Sequence, residues 1–198
     1  MQAARSESPD SGDRTSRPRA RLRLVFAVVA VVGLLVDQGT KEWALHALAD
    51  GPVPVVGDWF RLRLVFNPGA AFSTGVGFTA VFTLISSVAA VVVLWLSRRL
   101  GSRLWAVGFG LLLAGVLGNL FDRVFREPST FHGHVVDFLS FGSFPVFNVA
   151  DMCINVAAGV IILQTFRGVR LDGTREGQDD EPVEGSEHHQ YNQQEEQR

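Results

Sequence analysis

Apolar positions fall into four long stretches separated by polar turns. Residues 76–96 run 21 positions without a charge, about the length a helix rising ~1.5 Å per residue needs to cross a hydrocarbon core of ~30 Å. Residues 104–121 form a second uncharged run of 18. Residues 24–36 hold 13 apolar positions and need the polar turn after them, out to Leu45, to reach spanning length. Residues 144–166 are apolar apart from Asn148, Asp151, Asn155 and Gln164. The pattern predicts an all-α polytopic membrane protein with four transmembrane helices, two of them plain and two carrying polar groups. Between the first two helices, Phe60, Leu62, Leu64 and Phe66 alternate with Arg61, Arg63 and Val65. A period of two predicts an amphipathic strand, and Asn67-Pro68-Gly69 then turns the chain. This small extracytoplasmic β-rich segment can lie greasy face down and suit a lipid-bearing substrate, or simply cap the helices.

Charge sharpens the picture because it is segregated. The 198 residues carry a net charge of −2, which argues against a nucleic-acid partner. Residues 1–23 carry six Arg against three acids, and residues 167–198 carry nine acids against four Arg. The 143 residues between hold eight Lys/Arg and eight Asp/Glu, a membrane composition. Ten basic residues (Arg14, Arg17, Arg19, Arg21, Arg23, Arg98, Arg99, Arg103, Arg167, Arg170) fall on one side of the predicted helices. Five (Lys41, Arg61, Arg63, Arg123, Arg126) fall on the other, which places both termini in the cytoplasm. Residues 17–36 have the basic flank and apolar core of a signal peptide, but Leu34-Leu35-Val36-Asp37-Gln38 offers no small-x-small cleavage site, so the segment reads as a retained helix. Residues 1–19 and 171–198 read as disordered cytoplasmic tails flanking a membrane domain over 20–170, since neither can bury enough apolar surface to offset ordering.

Within the domain the acids Asp37, Asp122, Asp137 and Asp151 lie in or beside the spans, where an ionised group costs about 2.5–3.5 kcal/mol at the bilayer centre. All four fall toward the outer ends of the helices or in the outer loop. Asp37 and Lys41 are spaced i, i+4 and can pair on one helix face. Gly115, Gly118, Asn119 and Asp122 form a single stripe, the glycines admitting a neighbouring backbone while the polar pair bonds across the contact. Asn148, Asp151 and Asn155 repeat a helical spacing on the fourth helix, and Asp137 sits in an apolar β-branched stretch leading into it. Asp37 with Lys41, and Asp122 with Arg123 or Arg126, read as neutralised structural pairs. Asp137 and Asp151 have no cation within a helical turn. Two such carboxylates at one depth suggest a pair sharing a proton, one acting as acid and one as base. They can activate water and protonate a leaving amine, or relay protons in a carrier, and the residues alone leave both open.

Other chemistries are weaker. The single cysteine, Cys153, excludes an intramolecular disulfide and reads as core packing. His132-Gly133-His134 lacks the partners of a metal site, and no serine carries a base pattern. No metal and no cofactor is expected.

Five blocks in chain order resemble the bacterial lipoprotein signal peptidases, the signal peptidase II family. Asp37-Gln38-Gly39-Thr40-Lys41 is similar to its DxxTK, and Asn67-Pro68-Gly69-Ala70-Ala71-Phe72 to its NxGAAF. Gly118-Asn119-Leu120-Phe121-Asp122-Arg123 is similar to GNxxDR, His134-Val135-Val136-Asp137-Phe138 to its VVDF block, and Phe147-Asn148-Val149-Ala150-Asp151 to FNxAD. The resemblance covers about residues 24–166; Ala114-Gly115-Val116-Leu117 departs from a more glycine-rich stretch. It implies an aspartyl endopeptidase of the bacterial cytoplasmic membrane with its active site near the outer face. Asp137 and Asp151 match the catalytic dyad that cuts a prolipoprotein just before its diacylglyceryl-modified cysteine. Asn119, Arg123 and Asn148 match positions that support the site or substrate, and Asn67 and Gly69 match its cradle. Asp37, Lys41 and Asp122 are assigned to structure. The implied partners are diacylglyceryl-modified prolipoproteins and membrane lipid. A carrier without an internal repeat would be unusual, and a non-catalytic scaffold would tolerate Asn at both aspartates.

Overall fold

The computed structural model describes residues 16–69 and 79–175. Four long helices carry the fold: α1 (Ser16–Ala47), α2 (Thr79–Leu96), α3 (Arg103–Phe125) and α4 (Val149–Phe166). Three strands, β1 (Val53–Val56), β2 (Phe60–Asn67) and β3 (Val135–Phe141), form an antiparallel sheet in the order β1-β2-β3. Among the described residues three helical segments, Thr79–Arg99, Arg103–Phe125 and Val149–Phe166, are long and apolar enough to cross a membrane by length and composition. Their outward side chains bear this out physically. Leu84, Ile85, Val88 and Val91 on α2 and Val156 and Ile162 on α4 are all exposed, and Val28, Val32 and Leu35 on α1 are exposed beside them, an apolar belt of the kind that marks contact with lipid.

Helix α3 is the central post, contacting α1, α2 and α4. Its glycines explain how. A Cβ on Gly110 would lie 2.9 Å from the Phe26 carbonyl of α1, and one on Gly108 2.8 Å from Val160 of α4. Gly115 lies against the Ala150 carbonyl and Ile154, and Gly118 against the Asp37 carboxylate and Ala150. Where lipid tails are as apolar as leucine, such close backbone approach is what drives helix association. The departure at Ala114 tightens a contact: the Ala114 methyl sits 2.7 Å from where a Cβ on Gly33 would be. Phe26, Ala30, Ala90, Val93, Trp105, Phe109 and Leu113 make the apolar core at the other end of the bundle.

The structure differs from the sequence reading at four places. The β-rich segment is not confined to the connection between α1 and α2, because β3, between α3 and α4, is its third strand. Val135, Val136, Asp137 and Phe138 are all buried, so this strand shows no period-two alternation to read. Helix α4 starts at Val149 rather than near Phe144, because Asn148 is its N-cap and closes a capping box with Asp151. Helix α1 begins at Ser16, within the segment assigned to the N-terminal tail. At the other end the fold runs on to Arg175. Val169 bridges Arg175, the Gly101 N–H donates to the Leu171 carbonyl at 2.9 Å, and the Trp105 indole donates to the Val169 carbonyl at 3.1 Å. Leu171 packs on the apolar core, which offsets the ordering of this short return. Residues 1–15, 70–78 and 176–198, with the remainder of both assigned tails and of the NxGAAF block, lie outside the described residues.

Candidate active site

The polar side chains of α1, α3, β2, β3 and α4 meet in one layer. One half is an ion cluster. Lys41 is fully buried, 2.9 Å from Asp37 Oδ2 and 2.7 Å from Asp122 Oδ2, and its Nζ also donates to Asn119 Oδ1 at 3.1 Å. Asp37 Oδ1 accepts the Ala150 N–H at 2.8 Å, tying α1 to the start of α4. Asp122 accepts from Arg126 Nε at 2.8 Å and from the Val136 N–H at 3.2 Å, tying α3 to β3. Buried charges survive only when paired and hydrogen-bonded, and all three of these are.

The other half holds the two acids without a sequence-local cation. Asp137 enters on β3, paired in register with Val65 of β2, and two residues further along β2 Asn67 Nδ2 donates to Asp137 Oδ2 at 2.9 Å. Asn148 Nδ2 donates to Asp137 Oδ1 at 2.6 Å and to Asn119 Oδ1 at 3.1 Å. Asp151, in the first turn of α4, accepts from Asn119 Nδ2 at 2.8 Å and from the Asn148 N–H at 3.1 Å. Asn119 is thus the hub: its oxygen faces Lys41 and Asn148, its amide nitrogen faces Asp151. Burial pushes the Asp137 carboxyl up to about 6; the Asp151 charge adds to this, while the hydrogen bonds from Asn67 and Asn148 and the Lys41 charge oppose it. Asp137 also lines an open cleft of about 250 Å³ whose walls include Arg63, Asn67, Pro68, Pro145 and Val146.

Comparison with known proteins decides what this layer belongs to. A model of the family described as Signal peptidase (SPase) II matches residues 29–167. The chain belongs to the signal peptidase II family. It is therefore an enzyme, an aspartic endopeptidase, and the carrier reading of its aspartates finds no support in these matches. Among its relatives, the lipoprotein signal peptidase of Mycobacterium avium is 51% identical over 148 residues, covering 74% of this chain and 80% of the relative. That of Mycolicibacterium smegmatis is 42% identical over 185 residues, covering 91% and 78%. Two solved bacterial membrane enzymes share the fold: one at TM-score 0.65 and 24% identity, covering 80% of this chain and 93% of that one, the other at 0.61 and 26%, covering 72% and 92%.

Within this signal peptidase II the structure brings together Asp37, Lys41, Asn67, Asn119, Asp122, Asp137, Asn148 and Asp151. Gly69 stands one residue beyond the cleft wall, its N–H bonded to Asn67 Oδ1 at 2.9 Å. Its φ of +102° favours glycine. Arg123 is not the partner of Asp122; Arg126 and Lys41 are. The Arg123 guanidinium instead donates to the Asn119 carbonyl at 3.2 Å and lies 5.9 Å from the Phe82 ring, and the charge acting on it most strongly is Asp151. Its Nε is buried with no hydrogen-bond partner among the described residues. Asn155 does not join the layer: it is exposed and bonds its own helix at the Asp151 carbonyl. Among the described residues no cluster of three metal-ligating side chains occurs. The sequence reading missed the hydroxyls of α2. Thr79, Thr83 and Ser87 bond toward the site and along the helix, and their i, i+4, i+8 spacing in an apolar helix is the signal that could have marked them.

Proposed function

We propose that the chain removes the signal peptide from diacylglyceryl-modified prolipoproteins, cutting just before the lipidated cysteine, with Asp137 and Asp151 as the catalytic pair. In this reading all four helices span the bacterial cytoplasmic membrane, both termini are cytoplasmic and the site faces the outer leaflet. The observation that carries it is the unequal setting of two linked carboxylates. Asp137 is buried and raised to about 6, which favours its protonated form. Asp151 is less buried and accepts from Asn119 Nδ2 and the Asn148 N–H in the first turn of α4. Asp151 takes a proton from water as the water oxygen attacks the scissile carbonyl, and Asp137 lends its proton to the developing oxyanion. When the carbon–nitrogen bond breaks, the proton gathered by Asp151 passes to the leaving nitrogen, the new amino group of the lipidated cysteine, and Asp137 takes a proton back from a hydroxyl of the former carbonyl carbon as the new carboxyl forms. Asn67, Asn119 and Asn148 keep the carboxyls oriented, and Arg123 supports Asp151 and the substrate backbone. The apolar belt lets a diacylglyceryl chain approach from the bilayer.

A gel-shift assay with purified protein, lipidated precursor and unmodified precursor tests this. Cleavage of the lipidated form alone, abolished in Asp137→Asn and Asp151→Asn while both variants remain folded, is the expected result. Full cleavage by either variant would refute the dyad.

A further inference from the structure

Thr79 and Thr83 are buried hydroxyls on a helix otherwise made for lipid, and the chemistry above uses neither. Thr79 Oγ1 donates to the Pro68 carbonyl at 2.6 Å, across to the turn that follows β2. Thr83 Oγ1 lies 2.8 Å from the Thr79 carbonyl and 3.1 Å from the Phe131 carbonyl, so α2 also grips the segment leading into β3. Between the two threonines, the Phe82 ring fills the room that a side chain on Gly69 would need, 2.6 Å from the Cβ position. The same ring faces the Arg123 guanidinium. Pro68 and Gly69 adjoin Asn67, whose oxygen is fixed by the Gly69 N–H and whose nitrogen reaches Asp137. The turn that Thr79 grips is therefore one step from Asp137, through Asn67.

We propose that Thr79 and Phe82 are positioning residues of the peptidase: the Thr79 hydroxyl pins the 67–69 turn so that Asn67 stays on Asp137, and Phe82 spaces that turn from Arg123. This rests on Asp137 and Asp151 being the catalytic pair. The effect of losing the pin has a definite sign. The charged and titratable groups facing Asp137 are Asp151 from α4, Lys41 from α1, Arg123 from α3 and Arg63 at the cleft wall. Of these, only Arg63 lies on the same strand as Asn67. The Asn67 hydrogen bond favours the charged carboxylate, so loosening it raises the proton affinity of Asp137.

The test measures kcat and the alkaline limb of the pH–rate profile on lipidated precursor for Thr79→Val, Thr79→Ser and Phe82→Leu, with Asp137→Asn beside them and thermal melting recorded for each. Thr79→Val is expected to lower kcat by about tenfold or more, as small misplacements of reacting groups do, and to move the alkaline limb to higher pH. Thr79→Ser, which keeps the hydroxyl, restores both. Phe82→Leu lowers kcat at near wild-type melting. A folded Thr79→Val with wild-type kcat and limb overturns the proposal, as does equal loss in Thr79→Ser. Should Thr79→Val not fold, a folded Phe82→Leu with wild-type kcat overturns it instead. Activity in Asp137→Asn would sink the dyad itself, an outcome distinct from a silent Thr79→Val.

Discussion

Removing the cation at the centre of the ion cluster should cost more stability than any other single polar change, and the amount follows from a charge count. Lys41 pairs with both buried acids, Asp37 and Asp122, while Arg126 pairs with Asp122 and with the exposed Glu42. Lys41→Met leaves Asp37 without its cation and Asp122 with Arg126 alone. Stripping one partner from a buried pair costs about 3–5 kcal/mol. Asp37 keeps the Ala150 N–H and Gln38, and Asp122 keeps Arg126 and the Val136 N–H, which puts the loss near the lower end, about 3 kcal/mol. At about 2–4 °C per kcal/mol for a chain of this size, melting should fall by roughly 10 °C. The double variant Lys41→Met/Asp37→Asn removes the buried acid left without a cation, leaves Asp122 with Arg126, and keeps an oxygen for the Ala150 N–H. It should recover half or more of the loss. The chain supplies its own reporter, since its single cysteine, Cys153, is buried in α4. A thiol-reactive fluorophore added to protein in detergent micelles reads unfolding directly. A Lys41→Met melting point within about 2 °C of wild type would refute the reasoning, as would a double variant no more stable than the single one.

Other outcomes follow from the same geometry. Asp122→Asn should lower melting in the thiol assay while the folded fraction still cleaves lipidated precursor; full stability with complete loss of turnover would instead put Asp122 in the catalytic pair. In the proposed mechanism the protonated form of Asp137 is the acid, and burial pushes its carboxyl up to about 6, above the ordinary 3.8, so kcat/KM should fall as pH rises past about 6. A flat profile from pH 5 to 8 (a span of about three tenfold steps in proton concentration) would contradict that role. Gly115→Val must push against the Ala150 carbonyl and Ile154. Overpacking of this kind costs about 1–3 kcal/mol, and because Asp151 rides on the displaced helix, cleavage should fall with it.

Four apolar stretches, the Asp37–Lys41 spacing, the glycine stripe ahead of Asn119 and the turn at Asn67 were legible in the chain because each is local. A helix repeats every 3.6 residues and a hydrocarbon core demands about 20 apolar ones, so periodicity and length alone predict these elements and the face each polar group occupies. The two acids without a nearby cation stood out for the same reason. What tertiary structure decided is pairing between segments distant in sequence. Asp122 takes Lys41 and Arg126 rather than its neighbour Arg123, because α3 presents Asp122 to α1 and turns Arg123 toward Phe82 of α2. Asn148 leaves the helical stripe to become the N-cap, and from there bridges Asp137 to Asn119, which no spacing rule on α4 anticipates. Buried on both faces, β3 carries no alternating pattern and becomes a strand only because β2 offers it an edge. The raised proton affinity of Asp137 is likewise a property of the assembled layer: desolvation requires walls, and those walls come from four separate parts of the chain.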